Sequence, residues 1–146
     1  MMNLSLKKFP VGAFIVFLFI GSIFFSGCTQ EDSGNISTIS IDSESSFSLE
    51  ECKERNLQSE LIMLESSNCP HCKLAMPKLQ ELEEELDVNV EYLDLSSSED
   101  REKLDQYKIL PKYTPTVLIG CNVLIGDKEK EVFKNAIEDW KNEQEN

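Results

Sequence analysis

Two cysteines separated by two residues, Cys69 and Cys72, mark the point where an apolar run gives way to a helical pattern. The run, Leu61 to Leu64, is continuously apolar, as is typical of a strand buried on both faces of a sheet. Pro70 suits a first helical position, and apolar residues then recur at helical spacing as far as Leu86. This order predicts that the cysteine pair lies at a strand-to-helix junction.

That position has a chemical consequence for Cys69. The first turn of a helix offers unpaired N–H groups and the positive end of the helix dipole, and both stabilise a thiolate. Because the thiolate is the attacking species in disulfide exchange, Cys69 is the candidate nucleophile. Cys72, at i+3, returns to the same side of the helix, where it is placed to attack the mixed disulfide and release the product.

His71, the only histidine of the chain, stands between the two cysteines. As an N–H donor or a partial positive charge near Cys69, it is expected to lower the pKa of that thiol and to make the disulfide more oxidising. The alternative is an exposed side chain in the first turn with no tuning role. The two interpretations predict different redox potentials for a His71→Pro variant.

Residues 48–146, which include the cysteine pair, have together the size of one small domain. Patterns of apolar residues, caps and turns predict, in order, a helix from Ser48 to about Asn56, a strand at 61–64, a helix from Pro70, a strand from Val88 to Leu95, a helix from Ser96 to about Tyr107, strands at 116–119 and 123–125 joined as a hairpin, and a helix around 132–140. This order predicts an α/β fold in which helices flank a mixed central sheet.

The cysteine pair at this junction, Pro77 within the following helix, and Thr114-Pro115-Thr116 at the start of a later strand together resemble the thioredoxin superfamily. The resemblance extends from Ser48 to Trp140. It implies a thioredoxin-like fold and a thiol-disulfide oxidoreductase, and no cofactor is expected. It also implies that Pro115 is a cis-proline facing the cysteine pair, and that the backbone of Thr114 docks an extended substrate chain. Gly126 matches the family's glycine beside the site.

Two departures from the family pattern bear on the mechanism. Met63 stands where thioredoxins carry a buried aspartate that takes a proton from the second cysteine. Glu65 points to the same side of the strand as Met63 and is the candidate to replace that aspartate as proton acceptor. Asn68 stands where a tryptophan usually precedes the motif, so the surface that meets the substrate is expected to be more polar.

The N-terminus has the layout of an export signal. Lys7 and Lys8 precede an apolar stretch, and no charged residue occurs from Phe9 to Gln30. Its most apolar part is shorter than the roughly 20 residues that span a bilayer as a helix, although an uncleaved anchor remains an alternative. The stretch ends in Phe25-Ser26-Gly27-Cys28, which resembles the lipobox of prokaryotic lipoproteins.

This second resemblance implies that residues 1–28 form a lipoprotein signal with Cys28 as the lipidated residue. The alternative is a plain secretory signal in which Cys28 is incidental. Both place the rest of the chain outside the cytoplasm, either anchored to the outer face of the cell membrane or secreted. Residues 29–47, rich in serine and acids, are predicted to be a flexible tether because they bury too little apolar surface to offset the chain entropy.

Charge and location limit the possible partners. With 14 basic and 27 acidic residues the net charge is -13, which argues against nucleic acid because phosphate binding relies on clustered Lys and Arg. The expected partners are cysteine-containing exported proteins, a membrane-bound or soluble redox partner, and the membrane itself through the lipid anchor. Whether the exchange oxidises, reduces or isomerises its clients is left open by the sequence.

Cys52 and Cys121 have two possible fates. They form a second, structural disulfide, or they remain separate thiols, and the sequence does not give the distance that would decide. A zinc site needs about four ligands, and an all-cysteine site would require the fold to bring Cys52 and Cys121 to the Cys-x-x-Cys pair. No metal is therefore expected. Haem attachment fails, because Lys73 stands where that motif requires histidine.

A function of another class also remains open. In this alternative the domain is a non-catalytic module that binds a peptide or a partner chain, and Cys69–Cys72 is a structural staple. A staple resists mild thiols, whereas a catalytic pair is reduced by them and exchanges with a test disulfide.

Overall fold

The computed structural model describes residues 36–145. Cys28, the rest of the predicted signal, and residues 29–35 of the predicted tether lie outside this range. The elements within it are β1 (Ile39–Ile41), β2 (Ser45–Ser46), α1 (Leu49–Glu54), β3 (Leu61–Glu65), α2 (Cys72–Leu86), β4 (Glu91–Asp94), α3 (Ser98–Asp105), β5 (Ile109–Pro111), β6 (Thr116–Ile119), β7 (Asn122–Ile125) and α4 (Lys130–Gln144).

The main sheet is mixed, as predicted. Its strand order is β2-β7-β6-β3-β4. β3 runs parallel to β4 and antiparallel to β6, while β6 and β7 form the predicted antiparallel hairpin. A separate parallel pair joins β1 to β5. The prediction of an α/β fold with helices around a mixed sheet is therefore confirmed.

Two apolar layers cover the two faces of the main sheet. Side chains alternate between the faces along each strand, so Met63 of β3 points into one layer and its neighbour Leu64 into the other. The first layer contains the buried side chains of α2 and α4 together with Cys69 and Cys72. The second contains Cys52 of α1 and the apolar side chains of α3, β1 and β5.

Local signals set the start of α1. Ser48 and Glu51 form the predicted capping box, in which each side chain bonds the backbone N–H of the other residue. For α3 the predicted cap is wrong by one residue, because Ser97 rather than Ser96 accepts the N–H of Asp100. The Ser96 hydroxyl instead lies within hydrogen-bonding distance of the Ser67 hydroxyl, at 3.3 Å, which leaves the cap to Ser97.

The second predicted strand is shorter than expected. The alternating pattern began at Val88, but β4 begins at Glu91 because the N–H of Val90 donates to the Glu83 carboxylate at 2.8 Å. At the other end, the N–H of Asp94 donates to the Asp100 carboxylate at 3.1 Å. β4 is an edge strand, and these carboxylates occupy donors that would otherwise be open to pairing with another chain.

The prediction of a flexible tether is wrong for its C-terminal part. Residues 37–47, called here the strap, contribute β1 and β2 and so pair with both sheets. Ile41 of the strap is only 4% exposed. The polar composition of the strap predicted disorder. The strap is ordered because its backbone pairs with distant strands, and composition does not reveal this stabilisation.

One buried side chain holds the strap in place. Arg55 is only 4% exposed, and its guanidinium donates to the carbonyl oxygens of Ser37, Tyr107 and Lys108. Phe47 lies against the same guanidinium, 5.9 Å from its ring centre. A single cation therefore joins the strap to the segment between α3 and β5.

No helix within residues 36–145 is long and apolar enough to cross a membrane.

Candidate active site

Cys69 lies in the turn between β3 and α2, and a disulfide joins it to Cys72, the first residue of α2. The predicted junction is present, with one correction: α2 begins at Cys72, so Pro70 belongs to the turn and not to the first helical position. Proline is well accommodated there, because the turn needs no N–H from it. The two Cα atoms are 5.2 Å apart.

The helix start directs a donor at the leading sulfur. The backbone N–H of Cys72 points to Sγ of Cys69 at 3.0 Å, and it is one of the N–H groups that the first turn leaves without a helical partner. Cys69 is 6% exposed and Cys72 only 1%, so Cys69 is the more exposed residue of the two. On reduction, the arrangement stabilises negative charge on Cys69 rather than on Cys72.

His71 occupies the N-cap position of α2 and is exposed. Its side chain makes no capping hydrogen bond, while its carbonyl oxygen accepts the N–H groups of Leu74 and Ala75. The imidazole therefore does not serve as the cap of α2. The tuning role stays a prediction.

The backbone of Thr114 borders Cys69, and Pro115 follows Thr114 directly. The peptide bond between them is cis, and the carbonyl oxygen of Thr114 lies 3.3 Å from Sγ of Cys69. In the disulfide this is a close contact; a Cys69 thiol would donate its proton to the same oxygen. Thr116 starts β6, and its hydroxyl donates to the carbonyl of Tyr113 at 2.8 Å, which fixes the approach of this segment. The structure thus places the Thr114 carbonyl beside the Cys69–Cys72 pair, and the docking role of Thr114 and Pro115 stays a prediction.

Gly126 lies beside this segment. Its N–H donates to the carbonyl oxygen of Pro115 at 2.8 Å, and its φ of +84° belongs to the left-handed region that favours glycine. The turn after β7 therefore supports the backbone of the Thr114–Pro115 segment.

Sequence reasoning missed one ion pair next to this turn. Lys78 of α2 donates to the carboxylate of Asp127 at 2.8 Å and to the carbonyl oxygen of Lys128 at 2.7 Å. No motif marks this pair, because its partners lie far apart in the sequence and meet only through the fold.

Three carboxylates cluster at the end of β3. Glu65 is the partner of Asp94 in the pairing of β3 with β4, and Asp100 is close enough to act on it electrostatically. Burial, and then the negative charges of Asp94 and Asp100, raise the pKa of Glu65. Met63 lies in the same apolar layer as the cysteines, in agreement with its apolar character. A raised pKa suits a group that accepts a proton, and that role for Glu65 stays a prediction.

Two large apolar side chains next to site residues in the sequence are exposed. Leu74, two residues after Cys72, is 55% exposed, and Tyr113, directly before Thr114, is 49% exposed. The ammonium of Lys112 lies 5.8 Å from the centre of the Tyr113 ring. Asn68 is exposed, as expected for the residue before the motif.

Cys52 and Cys121 form a second disulfide, which decides between their two predicted fates. Cys52 is completely buried, and the Cα atoms are 5.4 Å apart. The bridge fastens α1 to the tip of the β6–β7 hairpin, on the sheet face opposite to the Cys69–Cys72 layer. It is therefore separate from the candidate active site.

Among residues 36–145 there is no group of three or more histidine, cysteine, aspartate or glutamate side chains arranged to hold a metal ion. No protein-family model matches the chain, and no curated protein matches its sequence.

Proposed function

We propose that this protein is an extracytoplasmic thiol-disulfide oxidoreductase of thioredoxin-like fold. The observation that carries the proposal is the N–H of Cys72, which points at Sγ of Cys69 from the start of a fifteen-residue helix. A structural staple does not need a donor aimed at one of its sulfurs, whereas a leaving or attacking thiolate is stabilised by it.

The proposed exchange proceeds in two balanced steps. In the reducing direction, the Cys69 thiolate attacks a client disulfide, a mixed disulfide forms, and one client sulfur leaves as a thiolate. Cys72 then loses its proton and attacks Sγ of Cys69, which releases the second client thiolate and leaves the Cys69–Cys72 disulfide. The oxidising direction is the reverse, and a redox partner restores the starting state of the pair.

The surrounding residues have distinct proposed roles. The Thr114–Pro115 segment docks an extended client chain next to Cys69, because its backbone borders the sulfur. His71 lowers the pKa of Cys69. Glu65 accepts the proton of Cys72, a role supported by its raised pKa and by its place two residues after Met63, on the same side of β3.

The sequence supports the proposed location. In this proposal residues 1–28 act as an export signal that delivers the domain to a compartment where disulfides persist, and Cys28 is the proposed site of a lipid that holds the protein at the outer face of the membrane. The Cys52–Cys121 disulfide also fits an oxidising compartment. The proposed clients are exported proteins with cysteine pairs.

The decisive experiment follows exchange with a small peptide disulfide. The reduced protein should reduce it, a Cys69→Ser variant should not react, and a Cys72→Ser variant should accumulate the mixed disulfide on Cys69, detected by mass spectrometry. Equilibration of the same pair with glutathione then gives the redox potential, which assigns the direction of the reaction.

The second disulfide provides the matched control. A Cys52→Ala, Cys121→Ala double variant removes two cysteines, one more than either single variant, but should retain exchange while it is folded. If mild thiols fail to reduce the Cys69–Cys72 pair and no mixed disulfide accumulates, the pair is a staple and the protein is the binding module.

A further inference from the structure

The segment that docks at Cys69 is supported by a short turn, called here the β7 turn, which comprises residues 126–128. The N–H of Gly126 in this turn donates to the carbonyl oxygen of Pro115. The carbonyl oxygen of Thr114, the residue before Pro115, lies 3.3 Å from Sγ of Cys69. Any displacement of the β7 turn therefore moves the backbone that borders the nucleophile.

Lys78 holds the β7 turn. Its ammonium makes two hydrogen bonds to the turn, one to the Asp127 carboxylate and one to the Lys128 carbonyl. The side chains of Lys78 and Asp127 are only 27% and 19% exposed, so this ion pair is less screened by water than a typical surface pair. The bonds are charge-assisted, which makes them stronger than bonds between neutral groups.

Lys78 lies on the same helix as Cys72, six residues further along. α2 therefore fixes the site from two sides. Its start presents the cysteine pair, and its second turn, through Lys78 and the β7 turn, sets the position of the Thr114–Pro115 segment.

The strap provides an independent hold on the same turn. Glu44 forms an ion pair with Lys128, and its carboxylate accepts the N–H of Ile125 at 3.2 Å. The turn is thus attached to the sheet without Lys78, and loss of Lys78 is expected to shift it rather than unfold it.

We propose that Lys78 is a positioning residue that holds the Thr114–Pro115 segment against Cys69 through the β7 turn. The predicted effect on catalysis rests on the proposed function. The predicted effect on the contact between Thr114 and Cys69 does not depend on it. Lys78 touches neither cysteine in the proposed chemistry; it acts through the backbone of the turn.

Two readouts test the proposal in Lys78→Met. The KM for a peptide disulfide should rise about fivefold with kcat changed less than about twofold, because docking is disturbed and the sulfur chemistry is not. The pH midpoint for alkylation of reduced Cys69 should move to lower pH. The Thr114 carbonyl accepts a proton from the thiol and repels the thiolate, so its withdrawal favours the thiolate.

The matched control is Lys130→Met. Lys130 has a similarly exposed side chain, at 28%, and its ammonium likewise pairs with carboxylates, but these are Glu81 and Glu85 of α2 and not groups of the β7 turn. It should lose comparable stability without a change in KM or in the alkylation midpoint. Lys78→Arg retains a cation with several donors and should restore both readouts. Asp127→Asn, which keeps the size of the side chain, should reproduce the effect of Lys78→Met in part.

If Lys78→Met matches Lys130→Met in both KM and alkylation midpoint, the proposal is overturned. If Lys78→Met does not fold, the test uses Asp127→Asn instead. Wild-type values of both KM and the alkylation midpoint in Asp127→Asn would then overturn the proposal. If the wild-type protein shows no exchange, the proposed function fails, while the alkylation midpoint still decides whether Lys78 sets the environment of Cys69.

Discussion

The two disulfides should differ sharply in their contribution to stability. The Cys52–Cys121 bridge joins residues 69 positions apart, whereas Cys69 and Cys72 are 3 apart. A double substitution to alanine removes each bridge in turn. Because the bridged sulfurs lie in different apolar layers, each change can be analysed separately.

The expected magnitudes follow from the loss of chain entropy in the unfolded state. For a separation of 69 residues, the loop-closure relation gives a stabilisation of about 4 kcal/mol, and for a separation of 3 it gives less than about 2 kcal/mol. A loss of about 4 kcal/mol is a large fraction of the roughly 5 to 15 kcal/mol that a domain typically has. It corresponds to a fall in Tm of about 15 °C for a domain of this size.

Urea unfolding of the oxidised protein, followed by circular dichroism, measures both losses. Cys52→Ala, Cys121→Ala should reduce the free energy of unfolding by more than about twice as much as Cys69→Ala, Cys72→Ala. Equal losses, or a loss below about 1 kcal/mol for the first double variant, would refute the assignment of Cys52–Cys121 as the structural bridge.

Four further predictions concern single residues. Glu65→Gln should slow release of the mixed disulfide in single-turnover measurements. Because the folded-state pKa of Glu65 is raised, its ionisation costs stability as the pH rises above about 4.5. The free energy of unfolding of Glu65→Gln should therefore increase relative to that of the wild type between pH 4 and 7. Gly120→Ala should cost about 1 to 3 kcal/mol in denaturant unfolding, because its Cβ would lie 2.5 Å from Cδ1 of Trp140 at a φ of +54°. Arg55→Met should accelerate hydrogen exchange in the strap about tenfold or more, since three carbonyls lose their donor, and Arg55→Lys should not restore protection. His71→Pro should make the redox potential of the cysteine pair more reducing in glutathione equilibration, and an unchanged potential would leave His71 without a tuning role.

Local signals in the sequence were sufficient for most of the framework. The apolar run before Cys69, the helical stripe after Cys72 and the hairpin before and after Gly120 depend on periodicity and turn chemistry, which act over a few residues. The capping box at Ser48 is local in the same sense. These elements and their order were predicted, and with them the mixed sheet.

Other features have no local signal. The strap looked like a tether because its composition is polar, but β1 and β2 pair with strands far along the chain. β5 was not predicted at all, since three residues are too few to show a period. Arg55 gives no hint in the sequence that its guanidinium binds three carbonyls from two distant segments.

The chain itself therefore determined which sulfur chemistry is available, since two cysteines at the start of a helix share one turn however the rest folds. Only the tertiary structure decided what surrounds that turn: the Thr114 carbonyl at Cys69, Lys78 on the β7 turn, and the bridge from Cys52 to Cys121. The physical reason is range. Helix periodicity and capping act within a few residues, whereas these contacts join residues 45 to 69 positions apart, and their distances are set by how the layers pack.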